Sequence, residues 1–198
     1  MGRAASNVAA RMAASLGELN AVAPQFECAL DVPYGGVLLA LPALLALGLL
    51  DSSEALLKQM PAGYYGLDSL LMLMAFMTLG RLQSLEALRY TAPGEWGKLL
   101  GLDRAPEVRT LRAKIRLLCA HDQAREWSAQ LSQRWMQDQP DEAGVLYVDG
   151  HTRIYHGSQT QLPRHYVARQ KLCLRATVDF WVNAMDGQPF FVVTQTVD

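Results

Sequence analysis

Cysteine is scarce in this chain, and what there is cannot pair in any obvious way. Cys28, Cys119 and Cys173 are odd in number, far apart and without a CxxC spacing. That excludes a disulfide framework and a cysteine zinc site, and it fits a reducing cytosol, so the expected location is cytoplasmic. Histidine is equally thin: His151, His156 and His165 lack the HExxH or HxxxH spacing that sets two imidazoles on one helix face, so no histidine metal site is expected. Internal repeats and low-complexity tracts are missing. Also missing is a large excess of either charge, since the net charge is −1, whereas a nucleic-acid binder needs a basic surface for phosphate contacts. What is present is 198 residues, 51% of them apolar and 19% charged, enough for one large or two small domains with a real core.

The near-zero average conceals a division along the chain. Residues 1 to 80 carry three basic side chains, Arg3, Arg11 and Lys58, against six acidic ones. Residues 81 to 135 carry ten basic against six acidic, and between Asp149 and Asp179 lie Arg153, Arg164, Arg169, Lys171 and Arg175 with no acid among them. Positive charge therefore collects in the middle of the chain and just after Asp149, where it could meet phosphates.

The run VPYGGVLLALPALLALGLL, residues 32–50, has no charge over a length close to that of a membrane span. Asp31 and Asp51 flank it in place of Lys or Arg, no Trp marks an interface, and Gly35, Gly36, Pro42 and Gly48 interrupt it. A helix buried inside a helical domain is the expectation, with a membrane anchor as the rival. A signal peptide does not fit, because the run starts late and ends in Asp51-Ser52-Ser53. The second apolar run, Leu67 to Leu79, has the length of a core helix.

In YTAPGEWGKLLGLDRAPEVRTLRAKIRLLC, residues 90–119, Pro93-Gly94 opens a short helix that Gly101 can end with positive φ. Asp103 is expected to cap a second helix whose first turn tolerates Pro106. On that helix Val108, Leu111, Ile115 and Leu118 recur at three and four residues and predict the buried stripe. At about 100° per residue Arg109, Arg112 and Arg116 share a neighbouring face. Such a row suits a DNA groove or its phosphates, and it equally suits a solvated face carrying charge for solubility. The helix is expected to continue to about Gln137, with Trp127, Leu131 and Trp135 as a displaced apolar stripe.

After Pro140 the period changes to that of strands. Residues 145–149 predict a strand, 158–168 an irregular basic connection containing Pro163, and LCLRATVDFWV and PFFVVTQTV two strands joined by a turn over Ala184 to Gln188. Helices followed by strands mean α+β or two domains, with the boundary near 138–143. Asp149 has two readings. It can leave the end of a strand buried on both faces, well placed for metal or phosphate chemistry, or it can form with Gly150 a hairpin turn that pairs 145–148 with Thr152 to Tyr155. The residues alone favour the turn.

Three stretches together carry a resemblance: GYYGLDSLLMLMAFMTLGRLQSLEALRYTAPGEWGKLLGLDRAPEVRTLRAKI, LYVDGHTRIYHG, and LPRHYVARQKLCLRATVDFWVNAMDGQPFFVV. From about residue 37 onward the chain resembles bacterial insertion-sequence transposases with an RNase H-like catalytic domain of the DDE type. The resemblance implies an α+β chain: an N-terminal segment 1–36, a helical DNA-binding region 37–139 with a helix-turn-helix-like element, and the first strands of an incomplete RNase H-like domain over 140–198. It implies that Asp149 is the first of three carboxylates holding two magnesium ions for strand cleavage and transfer, and it reverses the preference for the turn. Asp179, inside a strand, and Asp186, in a turn, are assigned no catalytic role, and the remaining two carboxylates are not found. The expectation is therefore a truncated transposase, inactive alone. It would bind transposon-end DNA through Arg104, Arg109, Arg112, Lys114, Arg116, Arg164, Arg169, Lys171 and Arg175, with a second copy or an intact transposase as its protein partner and no membrane. A non-catalytic DNA-binding remnant or transposase inhibitor is the alternative, and a small membrane-anchored protein is the third reading.

Overall fold

A computed structural model describes residues 7–51, 60–120 and 123–196. Arg3 and Lys58 of the charge tally, Ser52-Ser53, residues 121–122 of the long expected helix and Val197 of the last strand lie outside the described residues. The described chain is α+β, with helices first and an antiparallel sheet after them. It divides into two units, Met1–Trp127 and Ser128–Asp198.

The helical unit begins with α1 (Val8–Ser15), capped by the side chain of Asn7, which accepts from the Ala10 N–H at 3.2 Å. Its centre is α3 (Leu67–Leu79), the helix expected from the second apolar run, which buries Leu67, Leu70, Leu71, Met72, Leu73, Phe76 and Met77. A helix apolar on nearly every side must be surrounded. Trp96 and Leu99 of α4 (Pro93–Leu99) and Val108 and Leu111 of α5 (Val108–Cys119) share a core with Leu70, Leu73 and Phe76. Farther along α5, Leu118 packs instead with Leu67, Leu71 and the partly buried Trp127.

Residues 32–50 depart from the expected core helix. They form a 3-10 segment, Gly35–Ala40, and the short α2 (Leu41–Ala46), with no fully buried residue in either. Leu38, Leu41 and Leu44 pack against the core, yet Leu39 is 86% exposed. Local backbone explains the interruption: Tyr34 enters with φ 62°, Pro42 restarts the helix at its first turn and Gly48 stops it with φ 79°. Among the described residues no helix is long and apolar enough to cross a membrane.

The link between α4 and α5, residues 100–107, depends on two glycines. Gly101 has φ +66°, and a Cβ there would stand 2.9 Å from the Gln25 backbone nitrogen. At Gly97 a Cβ would collide with the Arg104 backbone, 2.6 Å from its nitrogen, and with the Leu102 carbonyl at 2.8 Å. Those are backbone atoms and cannot swing away. Gly97→Ala is expected to cost about 1–3 kcal/mol, the range for overpacking. Urea unfolding checks this, and an unchanged midpoint would show that the two segments separate easily.

In place of one helix reaching Gln137, the described residues hold α5 and a separate α6 (Gln123–Asp138). In the second unit, Leu131 and Ser132 of α6 are buried, and the Ser132 hydroxyl lies 2.8 Å from the carbonyls of both Ser128 and Phe190. The sheet is built on β3 (Leu172–Ala184), which is paired along 176–184 with β1 (Leu146–Ile154), along 172–175 with β2 (Arg164–Val167) and along 178–183 with β4 (Pro189–Gln195). The β3–β4 turn forms where expected: Gly187 has φ 92° and donates to the Ala184 carbonyl, and Ala184 donates back to the Gln188 carbonyl. Strand β2 falls inside the connection expected to be irregular. Pro163 does not prevent it, because Pro163 precedes the strand and offers only its carbonyl, to the Ala176 N–H at 3.2 Å.

Neither residue-level reading of Asp149 describes what forms. Asp149-Gly150 lies within β1 and is no turn, since Asp149 pairs with Trp181 and Gly150 with Phe180. The strand is not buried on both faces either: Leu146 through His151 are exposed. A strand pairing with β3 along its whole length gains more ladder bonds than a local hairpin, which overrides the Asp-Gly turn preference.

Candidate nucleic-acid interface

The arginine row stands on α5 as its spacing predicts. Val108, Leu111 and Leu118 are buried and Ile115 partly so, while Arg109, Arg112 and Arg116 are exposed on the adjoining face. Arg112 is engaged by Glu86 at 2.5 Å, and Glu86 also holds Arg89 at 2.8 Å. Among the described residues Arg109 and Arg116 make no ion pair. Lys114 does not join the row. It lies roughly 140–160° around the helix from those arginines by the turn per residue, on the other flank of the buried stripe, where burial pushes its ammonium below the usual lysine range. Arg104 is exposed in the α4–α5 link.

The start of that link is fixed by a group whose expected part was different. Asp103 does not cap α5, whose N-cap is Glu107 with no side-chain hydrogen bond. Its carboxylate instead accepts from Arg11 Nε at 2.7 Å and Nη2 at 2.5 Å, from the Tyr64 hydroxyl at 2.7 Å and from the Asn7 N–H at 3.4 Å. A two-pronged guanidinium contact outcompetes a single helix-cap bond. Arg11 also lies 4.0 Å over the Tyr64 ring and donates to the Tyr65 hydroxyl at 3.3 Å. The Tyr65 hydroxyl is in turn 3.2 Å from the carbonyls of Arg104 and Ala105. α1 buries no residue fully and rests on the core only through the partly buried Ala10 and Ala14, so these polar contacts add a second tie, to the segment preceding α5. Desolvation opposes the charge on Asp103, but Arg11 and Tyr64 outweigh it and hold the carboxyl below its usual range. Burial, with the hydrogen bond to Asp103, pushes the Tyr64 phenol up to about 12.

In the strand unit Arg164 and Arg175 are directly opposed across β2 and β3, both exposed. Arg169 and Lys171 are exposed in the turn between these strands, where Lys171 has φ 54° and donates to the Val167 carbonyl at 2.8 Å. An open hollow of about 370 Å³ beside the arginine pair is lined by Ile154, Tyr155, His156, Arg164, Cys173, Leu174 and Arg175. The free thiols Cys28, Cys119 and Cys173 are all exposed.

Asp149 is exposed in β1. Asp179 occupies the diagonal position on the same sheet face, opposite His151, but it is 1% exposed and held by Arg153 and by the Thr194 hydroxyl at 2.7 Å. Among the described residues no three His, Cys, Asp or Glu side chains converge to hold a metal ion. The donors around Asp149 therefore do not suit a two-ion centre, which needs several carboxylates converging on both ions.

No curated protein and no solved structure matches this chain. A family model described as "Transposase protein" matches residues 2–198, nearly the whole sequence, and the chain accordingly belongs to the transposase family.

Proposed function

We propose that the protein acts in DNA transposition by binding DNA at the transposon ends, with α4 and α5 as a helix-turn-helix-like element. The observation that carries this reading is the exposed row on α5: two arginines without an ion pair among the described residues and a third paired with Glu86, in a member of a transposase family. Guanidinium groups suit phosphate oxygens. The basic residues Arg164, Arg169, Lys171 and Arg175 add phosphate contacts from the strand unit. Residues 37–139 are then the DNA-binding region and 140–198 an RNase H-like region, a reading supported by the antiparallel run of β1, β3 and β4 with Asp149 in its first strand. The protein partner is a second copy or an intact transposase, and the place of action is the cytoplasm.

In this reading Asp149 descends from a ligand of a catalytic metal, while the carboxylates around it do not make a two-ion site. The 198-residue chain should accordingly bind duplex DNA without nicking it when magnesium or manganese is supplied. A supercoiled-plasmid assay beside a duplex-binding assay separates the cases. Metal-dependent nicking abolished by Asp149→Asn would contradict the non-catalytic part, and absence of binding at low salt would contradict the proposal as a whole.

A further inference from the structure

Alternation along β1 puts Asp149, His151 and Arg153 on one face of the sheet, and Tyr155, the residue after the strand, continues the pattern. Cross-strand register brings Asp179 and Trp181 of β3 to the same face, and the Arg153–Asp179 ion pair agrees with it. Continuing along β3 by twos reaches Arg175, whose carbonyl accepts from the Tyr155 N–H at 2.8 Å and whose cross-strand neighbour is Arg164. One sheet face thus carries Asp149 toward one end of β1 and an arginine pair at the other. The six steps from Asp149 to Tyr155 span about 20 Å at about 3.3 Å each.

Like charges directly opposed across strands oppose folding, and among the described residues no carboxylate relieves them. Among the described residues neither Arg164 nor Arg175 makes an ion pair. Asp179 is occupied by Arg153 and Thr194, and no acidic residue lies in sequence between Asp149 and Asp179. The hollow between this pair and His156 is open to solvent, and the phenol of Tyr155 beside it is held below the usual tyrosine range by its bonds from Thr160, with Arg175 adding to the effect. Two guanidiniums at the mouth of an open hollow match a tetrahedral dianion or a phosphodiester.

We propose that this hollow seats one backbone phosphate of a DNA duplex lying along β1 on the face that carries Asp149. The inference rests on the DNA-binding reading above and assigns it a definite seat. About 20 Å of duplex is roughly six phosphates along one strand, so the same duplex would reach Asp149.

Cys173 lines the hollow and is exposed, which makes it a reporter. The full chain is alkylated at low salt, alone, with a 20-base-pair duplex or with inorganic phosphate, and Cys173 and Cys28 are followed separately by peptide mass mapping. With duplex at about ten times its Kd, Cys173 should react about tenfold more slowly while Cys28 is unchanged. The Arg164→Thr/Arg175→Thr chain should lose this protection and unfold at the same or a higher temperature, because a like-charge pair has gone. Duplex that binds without protecting Cys173 would overturn the seat and leave the DNA reading standing, whereas failure of the duplex to bind would overturn both. Protection by inorganic phosphate but not by duplex would overturn DNA as the source of the phosphate. A lowered unfolding temperature in the double variant would mark the pair as structural and overturn the proposal.

Discussion

Replacing Asp103 by alanine is expected to destabilise the helical unit by about 2–4 kcal/mol, between the loss of charged hydrogen bonds and the stripping of a fully buried ion pair, because the Arg11 side chain keeps 24% exposure. The carboxylate is 5% exposed and receives Arg11 through two nitrogens as well as the Tyr64 hydroxyl. Its loss leaves Arg11 without its anion and unties α1 from the link before α5. The pH dependence has a definite sign at each end. The folded-state pKa of Asp103 lies below its unfolded value of about 3.9, so its contribution is complete above that pH and disappears as pH falls through the folded value. The Tyr64 phenol, raised to about 12 from about 10, contributes stability that is complete below about pH 10 and is lost as pH rises toward 12. Urea unfolding across pH measures both. A wild-type-like midpoint for Asp103→Ala, or an alkaline limb that Tyr64→Phe leaves unchanged, would show that the network is peripheral.

Replacing Arg109, Arg112 and Arg116 together by alanine should flatten the salt dependence of duplex affinity by about two to three in slope, about one for each phosphate that is no longer neutralised. Arg112 sets the lower limit, since Glu86 already compensates part of its charge. At low salt the affinity should fall by orders of magnitude while the helical content stays the same, because all three side chains are exposed beside the buried stripe. Arg104→Ala is the smaller companion change. Lys114→Ala should leave the slope nearly unaltered, since Lys114 lies away from the row. A triple variant with the wild-type slope would return the row to a solvated face.

What the sequence disclosed follows the range of the forces involved. α3, the α4 stop at Gly101, the stripe on α5 and the Ala184–Gln188 turn are all local: periodicity, positive φ and turn chemistry act within a few residues. The failures are contests decided at a distance. Asp103 looked like a cap because its strongest partner, Arg11, is 92 residues away. Asp149-Gly150 looked like a turn until β3 offered a ladder along all of β1. Residues 32–50 read as a core helix by composition, yet Pro42 and Gly48 break them into short pieces that leave Leu39 and Leu45 in solvent. The arginine row was legible from spacing, but Lys114 joined the same set of candidates through proximity in sequence and stands on the other flank of α5. Arg164 and Arg175 were singled out as basic residues; their direct opposition across two strands needed the register, because β2 was not foreseen.

Whether this transposase-family chain holds DNA by its phosphates is measured most directly by wild-type affinity for a duplex as a function of salt. Binding anisotropy between about 50 and 200 mM salt is expected to give log K falling linearly with log salt at a slope of about −3 or steeper, since each neutralised phosphate contributes about −0.9. Undetectable binding at the low-salt end, or an affinity indifferent to salt, would contradict it.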